Sequence, residues 1–233
     1  MEGIVLKIEQ LQPSAEFPSR KLNLRLHHKL IGIVLAPNKT MNYLSEQPDL
    51  KVPLVAISLS TAMLTGAMLS VVPHGSVKGM NYTPLDPTIA KVGLISILIF
   101  ALFSAVSSWL MFTALIFFVG IIMLGLATFR QTLSTIGYAS IPVALKSFLL
   151  AGVVLLTGRY NFSPGLSGIF PKDISPYLKA FLSSVDVFSL WSIFLVILAV
   201  STVFDFSKKK SIMIVLSLWG IEIATKGAMG TLL

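Results

Sequence analysis

Residues 129–157, FRQTLSTIGYASIPVALKSFLLAGVVLLT, constrain the fold of this chain more than any other stretch. About 20 apolar residues, each rising about 1.5 Å, cross a hydrocarbon core of roughly 30 Å, so the segment predicts a membrane-spanning helix. Pro142 and Lys146 lie inside it. A proline frees a backbone carbonyl and a lysine needs water, an acid or a carbonyl, so both residues indicate contact with protein or with a polar cavity.

The composition of the chain is that of an integral membrane protein. Of 233 residues, 55% are hydrophobic and 12% charged, with a mean hydropathy of +0.84, whereas a soluble domain has about 25% charged residues. We therefore expect an all-α integral membrane protein, a bundle of five transmembrane helices preceded by a cytoplasmic amphipathic segment. The net charge of +8 fits basic residues that flank spans and contact the lipid bilayer. No basic run interleaved with aromatic residues indicates nucleic-acid binding.

Residues 1–50 are predicted to be a cytoplasmic tail, because they show no basic start followed by a signal-peptide apolar region. Within the tail, residues 4–11 fit a short strand or a helix equally well. Residues 22–35, LNLRLHHKLIGIVL, mix basic and aliphatic side chains, which is typical of an amphipathic helix in the headgroup region. His27 and His28 are adjacent, do not share a helix face and have no third ligand nearby, so we predict no metal site.

Residues 51–233 are predicted to form the transmembrane domain, with spans at about 52–72, 93–118, 134–157, 187–204 and 212–229. The uncharged run between Lys91 and Arg130 leaves two readings, because it would measure about 57 Å as one helix. The first reading is a single span that breaks around Gly120 and Gly125. The second is two short spans that meet near residues 107–109, which makes six spans in total.

The distribution of basic residues predicts the orientation. With five spans and the amino terminus inside, the inner segments hold eleven basic residues and the outer segments five. With six spans the counts become ten and six. The positive-inside rule therefore favours a protein whose amino terminus is cytoplasmic and whose carboxyl terminus lies outside.

Small residues recur at every fourth position of the first span. Such a ridge lets a second helix approach closely where lipid supplies no hydrophobic drive. The pattern predicts a helix-packing face, either within the bundle or between copies of the chain. Its members are Ser58, Ala62, Gly66 and Ser70.

Three charged residues lie inside predicted spans. Glu222 lies about 16 Å into the last helix, near the bilayer centre, and Lys226 follows it at i+4. One hypothesis is a buried pair that neutralises itself. The other brings Glu222 and Lys146 together in a polar cavity that serves proton, ion or small-solute movement, or recognises a lipid headgroup.

Enzyme chemistry finds no support in the sequence. The chain has no glycine-rich phosphate loop, no Gly-x-Ser-x-Gly elbow and no His-Glu-x-x-His motif. It also has no cysteine, which excludes disulfides and thiolate metal sites. We therefore predict a protein that is not an enzyme, with no catalytic residues and no cofactor.

The segment DLKVP, which contains Asp49, Leu50 and Pro53, stands immediately before the first predicted span. It resembles the Asp-Leu-Tyr-Gly-Pro signature of the Yip family, whose eukaryotic members are named for interaction with Ypt/Rab GTPases. The preceding LAPNKTMNYLSEQPDL and the ending VDVFSLWSIFLVILAVS, with its basic turn and last helix, are similar to prokaryotic members. Lys51 and Val52 replace the Tyr and Gly of the signature, so GTPase binding is not carried over.

The segment IGYASIP resembles the second signature of the same family, a Gly-Tyr dipeptide with a proline five residues after the glycine. Here these residues are Gly137, Tyr138 and Pro142. The resemblance implies five spans and a cytosolic amino terminus, and for the eukaryotic members it implies a role in membrane organisation or vesicle traffic. We expect a non-enzymatic scaffold or interaction protein of a prokaryotic inner membrane, whose partners are lipid, further copies or other membrane proteins. A small channel or transporter that uses Lys146, Glu222 and Lys226 is the alternative.

Overall fold

A computed structural model describes residues 26–71, 87–158, 165–170 and 174–232. The open question of strand or helix at residues 4–11 lies outside these residues. All regular structure in the described part is helical. The α-helices in chain order are α1 (Leu26–Leu35), α2 (Pro37–Glu46), α3 (Lys51–Val71), α4 (Pro87–Ile122), α5 (Phe129–Ala139), α6 (Ile141–Thr157), α7 (Pro176–Ser184), α8 (Val187–Phe204) and α9 (Lys208–Leu232), with a 3-10 turn at Gly165–Gly168.

Five helical segments are long and apolar enough to cross a membrane, which confirms the predicted fold class. They are Lys51–Val71, Lys91–Ile122, Phe129–Thr157, Val187–Phe204 and Lys208–Thr231. The six-span alternative is wrong because α4 continues without a break through residues 107–109 and ends at Ile122. Thirty-two residues of α4 are apolar enough to span, so this helix is longer than a hydrocarbon core requires.

The third span consists of two helices. α5 ends at Ala139 and α6 begins at Ile141, with Ser140 between them. Pro142 lies at the start of α6, where its missing backbone N–H costs least. The chain therefore changes helix in the middle of the segment that begins at Phe129.

α5 and α8 form the centre of the bundle. Eight consecutive residues of α5, Thr132 to Ala139, are buried. α8 contributes Leu195, Ala199 and Val200 to the same core. α1 and α2 form a small headpiece over this core, with Ile33, Met41 and Leu44 turned inward. α1, the predicted headgroup-region helix, also keeps exposed apolar residues, namely Ile31, Val34 and Leu35.

α3 packs chiefly on α6, where Ala67 meets Ala151 and Val154. The buried residues of α3 are Pro53, Ser60 and Ala67. A Cβ atom added at Gly66 would meet nothing within 4 Å. The packing face of α3 within the chain therefore differs from the predicted ridge. The ridge of Ser58, Ala62, Gly66 and Ser70 stays a prediction only for contacts between copies.

α4, α8 and α9 are joined at the Phe204 end of α8. The Phe204 ring fills the space beside Gly120 and lies 2.7 Å from where a Cβ of Gly125 would stand, so only glycine fits there. The Lys210 ammonium donates a 2.8 Å hydrogen bond to the Met123 carbonyl. A lysine is well suited to this position because the end of a helix carries unpaired carbonyl groups and partial negative charge.

Candidate functional site

The two signature-like segments meet in the structure. Asp49 lies in the connection between α2 and α3, and Tyr138 lies near the end of α5. The Tyr138 hydroxyl donates a 3.0 Å hydrogen bond to Oδ2 of Asp49. Tyr138 is fully buried, so its hydroxyl needs a partner inside the protein, and Asp49 supplies one.

Lys29 of α1 completes the charge balance. Its ammonium lies 2.5 Å from Oδ2 of Asp49, and the two side chains are 13% and 19% exposed. The other carboxylate oxygen, Oδ1, accepts a 3.1 Å hydrogen bond from the backbone N–H of Lys51. Burial of the carboxylate opposes ionisation, but the hydrogen bonds from Lys29 and Tyr138 outweigh it and hold the pKa of Asp49 below its ordinary value.

Ser134 binds the backbone of the same aspartate. The Asp49 N–H donates a 2.9 Å hydrogen bond to Ser134 Oγ, and Ser134 Oγ lies 3.2 Å from the Asp49 carbonyl, to which it donates. Both the side chain and the main chain of Asp49 are therefore fixed by α5. We call Lys29, Asp49, Ser134 and Tyr138 the signature cluster.

The sequence at the start of α5 explains how that helix presents the cluster. Thr128 and Gln131 form a capping box, which fixes the first turn. Gln131, Ser134 and Tyr138 then lie at i, i+3 and i+7, which is one face of the helix. Gln131 Nε2 also donates a 2.9 Å hydrogen bond to the Ser45 carbonyl. This polar face of α5 therefore holds the end of α2 and the connection that follows it.

A second contact joins the two segments one turn away. A Cβ added at Gly137 would lie 2.5 Å from Cβ of Pro53 and 2.9 Å from Cζ2 of Trp109. Gly137 thus lets α3 and α4 approach α5 more closely than any side chain would permit. Leu50 packs against the same core, and Pro142 is buried at the start of α6.

The signature cluster is arranged to hold the headpiece. Its one carboxylate is engaged by an ammonium, a phenol and a backbone N–H, and its ammonium also lies 5.7 Å from the centre of the Tyr43 ring. Over the described ranges, no group of three His, Cys, Asp or Glu side chains is placed to hold a metal ion. The cluster ties α1 and α2 to α5 by mutually satisfied polar groups.

Lys146, Glu222 and Lys226, which lie in membrane-length helices, line a separate cavity of about 750 Å³ among α4, α6, α7, α8 and α9. Its polar lining consists of six serines together with Lys146, Glu222 and Lys226. We call this space the ion-pair cavity. One hypothesis from the sequence was a polar cavity shared by Lys146 and Glu222, and both residues line this cavity.

The direct partner of Lys146 is Asp186. The Lys146 ammonium lies 2.6 Å from Oδ2 of Asp186, with side-chain exposures of 18% and 13%. Asp186 is also the N-cap of α8, where Oδ1 accepts from the N–H groups of Phe188 and Ser189. Burial by itself would raise the pKa of Asp186. The hydrogen bonds from Lys146 and Ser189 have the larger, opposite effect, so the pKa of Asp186 lies below its ordinary value.

Glu222 and Lys226 pair with each other at 2.5 Å along α9. Their side chains remain 49% and 53% exposed, so the protein does not bury this pair. Hydrocarbon does not solvate ionic groups, so the exposed half of the pair requires a polar neighbour.

A family model described as the Yip1 domain matches residues 31–225, which includes both signature-like segments and four complete predicted spans. This chain belongs to the Yip1 family. No match was found among curated proteins or among solved structures. The match and the five membrane-length helices identify an integral membrane protein of the Yip1 family.

The sequence of this Yip1-family chain did not reveal Lys29 and Ser134 as members of the signature cluster. It also did not reveal that Asp186 forms an ion pair with Lys146. Lys29 and Ser134 are 20 and 85 positions from Asp49, so no local spacing joins them to it. Asp186 gave a detectable signal as a helix cap, because an acid stands directly before an apolar helix. Its second role required knowledge of which helix lies opposite α8.

Proposed function

We propose that this Yip1-family protein is a non-enzymatic membrane-organising protein that acts through protein contacts of its headpiece, α1 and α2. The signature cluster supports this proposal, because it ties the headpiece to the bundle through an ion pair and hydrogen bonds that converge on Asp49. Family membership supports a membrane protein in general. The exposed face of α2 is polar and available for contact, and it comprises Asn38, Lys39, Asn42 and Glu46.

We place the headpiece on the cytoplasmic side of a prokaryotic inner membrane, with the carboxyl terminus outside. The excess of basic residues in the segments on the headpiece side supports this orientation. Binding of a Ypt/Rab-type GTPase is not part of the proposal, because Lys51 and Val52 depart from the signature. Contact between copies through the ridge of Ser58, Ala62, Gly66 and Ser70 would add a homo-oligomer, which single-cysteine crosslinking at Gly66 would detect.

Photo-crosslinking from the headpiece tests the proposal. A photoreactive residue at exposed Asn42 should give a discrete protein crosslink in native membranes. The same residue at Met229, which is 59% exposed near the far end of α9, serves as control. Asp49→Asn should weaken the Asn42 crosslink while leaving the amount of protein in the membrane unchanged. Crosslinks to lipid alone at Asn42, or crosslinks unaffected by Asp49→Asn, would contradict the proposal.

The second candidate function is a small channel or transporter. The ion-pair cavity favours it, because Lys146, Glu222 and Lys226 line one space within the spans. Since the chain has no cysteine, single cysteines at Lys146 and Glu222 can be probed in intact membranes with a small charged thiol reagent. Buried Leu195 and exposed Ser217 serve as controls. Labelling at the charged positions alone would support transport, and protection at both would count against it.

A further inference from the structure

The ion-pair cavity has a polar end and an apolar end. α6 and α8 run antiparallel, because Lys146 contacts Asp186 whereas the Ala139 carbonyl accepts from Ser192. The polar end therefore lies at the start of α8. Away from this end the lining is mostly apolar, with Met111, Phe112, Ile193, Val196 and Val215, and its hydroxyl groups are those of Ser108, Ser140 and Ser192. A cavity with this division suits an amphiphilic occupant with a polar head and an apolar tail.

The charges at the polar end balance. Lys146 and Lys226 supply two ammonium groups, and Asp186 and Glu222 supply two carboxylates, each pair at 2.5–2.6 Å. An anionic or cationic occupant would leave an uncompensated charge within the membrane, which is costly. A zwitterion keeps the sum at zero, because its anion can lie beside the lysines and its cation beside Glu222.

The serines distinguish between kinds of cation. Five of the six serines donate their hydroxyl protons within the protein, which leaves the lone pairs of those oxygens to act as acceptors. An occupant cation that carries N–H groups can use these oxygens, whereas a quaternary ammonium has no N–H to donate and is bound best by aromatic cages. The hydroxyls of Ser183 and Ser184 donate to Ala180, that of Ser189 to Asp186, that of Ser192 to Ala139 and that of Ser140 to Ile136.

α7 closes the polar end from the side of α9. The Tyr177 ring fills the space beside Gly227, and the rings of Phe181 and Trp219 lie 6.0 Å apart. Ser183 and Ser184 at the end of α7 thereby reach the lining. The volume of about 750 Å³ falls within the range of roughly 300–1,000 Å³ typical of small-molecule sites. This space can hold a headgroup and the first part of the attached acyl chains.

We propose that the ion-pair cavity binds a zwitterionic phospholipid whose headgroup carries a phosphate and a primary amine. The phosphate lies beside Lys146 and Lys226, and the amine donates to Glu222 and the serine oxygens. The acyl chains leave along Phe112, Ile193 and Val196. The bound headgroup supplies the polar neighbour that the exposed half of the Glu222–Lys226 pair requires. This inference does not rest on the proposed role of the headpiece.

Lipid competition tests the inference directly. Purified protein in detergent is incubated with equal amounts of phosphatidylethanolamine, phosphatidylcholine and phosphatidylglycerol that share the same acyl chains, and bound lipid is measured by native mass spectrometry. We expect phosphatidylethanolamine to be retained over the other two by about fivefold or more, because phosphatidylcholine has no N–H to donate and phosphatidylglycerol brings an uncompensated negative charge. Equal retention of all three lipids would overturn the inference.

Variants locate the binding. Glu222→Gln should reduce the preference for phosphatidylethanolamine at least about threefold, since it removes the acceptor charge for the amine. Glu46→Gln, an equal change at an exposed position of α2, should leave the preference intact. Ser183→Ala with Ser184→Ala should reduce it as well, and this variant keeps both ion pairs should Glu222→Gln fail to fold. A preference that survives in Glu222→Gln and in the serine variant would overturn the inference.

A soluble headgroup separates lipid from a water-soluble occupant. O-phosphoethanolamine carries the same phosphate and amine without acyl chains. We expect it to bind far more weakly than the lipid, because it cannot use the apolar end of the cavity. Tight binding of O-phosphoethanolamine with no retention of phospholipid would overturn the lipid assignment and identify a soluble solute as the occupant.

Discussion

The Tyr138 hydroxyl donates a hydrogen bond to the carboxylate of Asp49, across 89 positions of sequence, at a distance of 3.0 Å. Each residue belongs to a different signature-like segment, and the bond joins the two segments. The same pair of segments meets again where Pro53 contacts Gly137. Both signature-like segments therefore form one structural clamp between the headpiece and the third span.

The clamp predicts coupled effects of mutation on stability. Asp49→Asn should cost about 1–3 kcal/mol because Lys29 loses its partner in a largely buried place. Tyr138→Phe should cost about 1–2 kcal/mol through loss of a hydrogen bond to a charged group. The double variant should cost about 1 kcal/mol less than the sum, because one bond is removed twice.

Unfolding of the purified protein in detergent measures these three values, and Glu46→Gln at the exposed side of α2 provides the control. Strict additivity of Asp49→Asn and Tyr138→Phe would show that the hydrogen bond between them contributes nothing.

Acid should remove the contribution of the Asp49 carboxylate. Because the folded-state pKa of Asp49 lies below its ordinary value of about 3.9, the ionised group stabilises the folded protein above that pH. The contribution is lost as the pH falls through the folded-state pKa. We expect the stability difference between wild type and Asp49→Asn to be constant above about pH 5 and to shrink below about pH 4.

Thermal unfolding of both proteins over this pH range is the measurement. Asp186 titrates in the same direction, but it is present in both proteins and cancels in the difference. A difference that widened towards low pH would have the wrong sign for this explanation.

The close approach at Gly137 predicts a contrast between two glycines. Gly137→Ala should destabilise the protein by about 1–3 kcal/mol, since the new methyl group would lie 2.5 Å from the rigid ring of Pro53. Gly152→Ala, also within a helix, meets nothing within 4 Å and should be neutral or stabilising by up to about 1 kcal/mol. Parallel thermal unfolding of the two variants in one detergent measures the contrast. Equal effects would mean that the Pro53 contact relaxes without cost.

Sequence alone predicted the five spans because span length and hydropathy follow from a hydrocarbon core that is about 30 Å thick. It also indicated the Glu222–Lys226 pair as a local i+4 spacing. It did not find Lys29 as the partner of Asp49, or Asp186 as the partner of Lys146. Those choices depend on which helices are neighbours, and the periodicity of one helix carries no such information.

The packing face of α3 shows a second limit. In a soluble protein the buried face is the apolar one, but both faces of a span are apolar. The spacing of small residues was therefore the only guide to the packing face of α3. It predicted the face that contains Gly66, whereas the structure buries the face that contains Ala67. A one-residue shift in sequence moves a side chain by about 100° around the helix.

Asp186 predicts a separation between two roles of one side chain. Asp186→Asn keeps a good N-cap for α8 but removes the charge that pairs with Lys146. Asp186→Ala removes both. We expect Asp186→Asn to cost about 1–3 kcal/mol because a lysine within a span loses its partner, and Asp186→Ala to cost about 1 kcal/mol more through loss of the cap.

Detergent unfolding of the two variants separates these costs, and Lys146→Gln in the Asp186→Asn background provides the matched control. Removing the unpaired lysine should recover part of the stability that Asp186→Asn loses, because the remaining polar groups are then neutral. If Lys146→Gln gave no recovery, the ammonium would be satisfied by another neighbour in the cavity, and the ion pair with Asp186 would not be the reason for the loss.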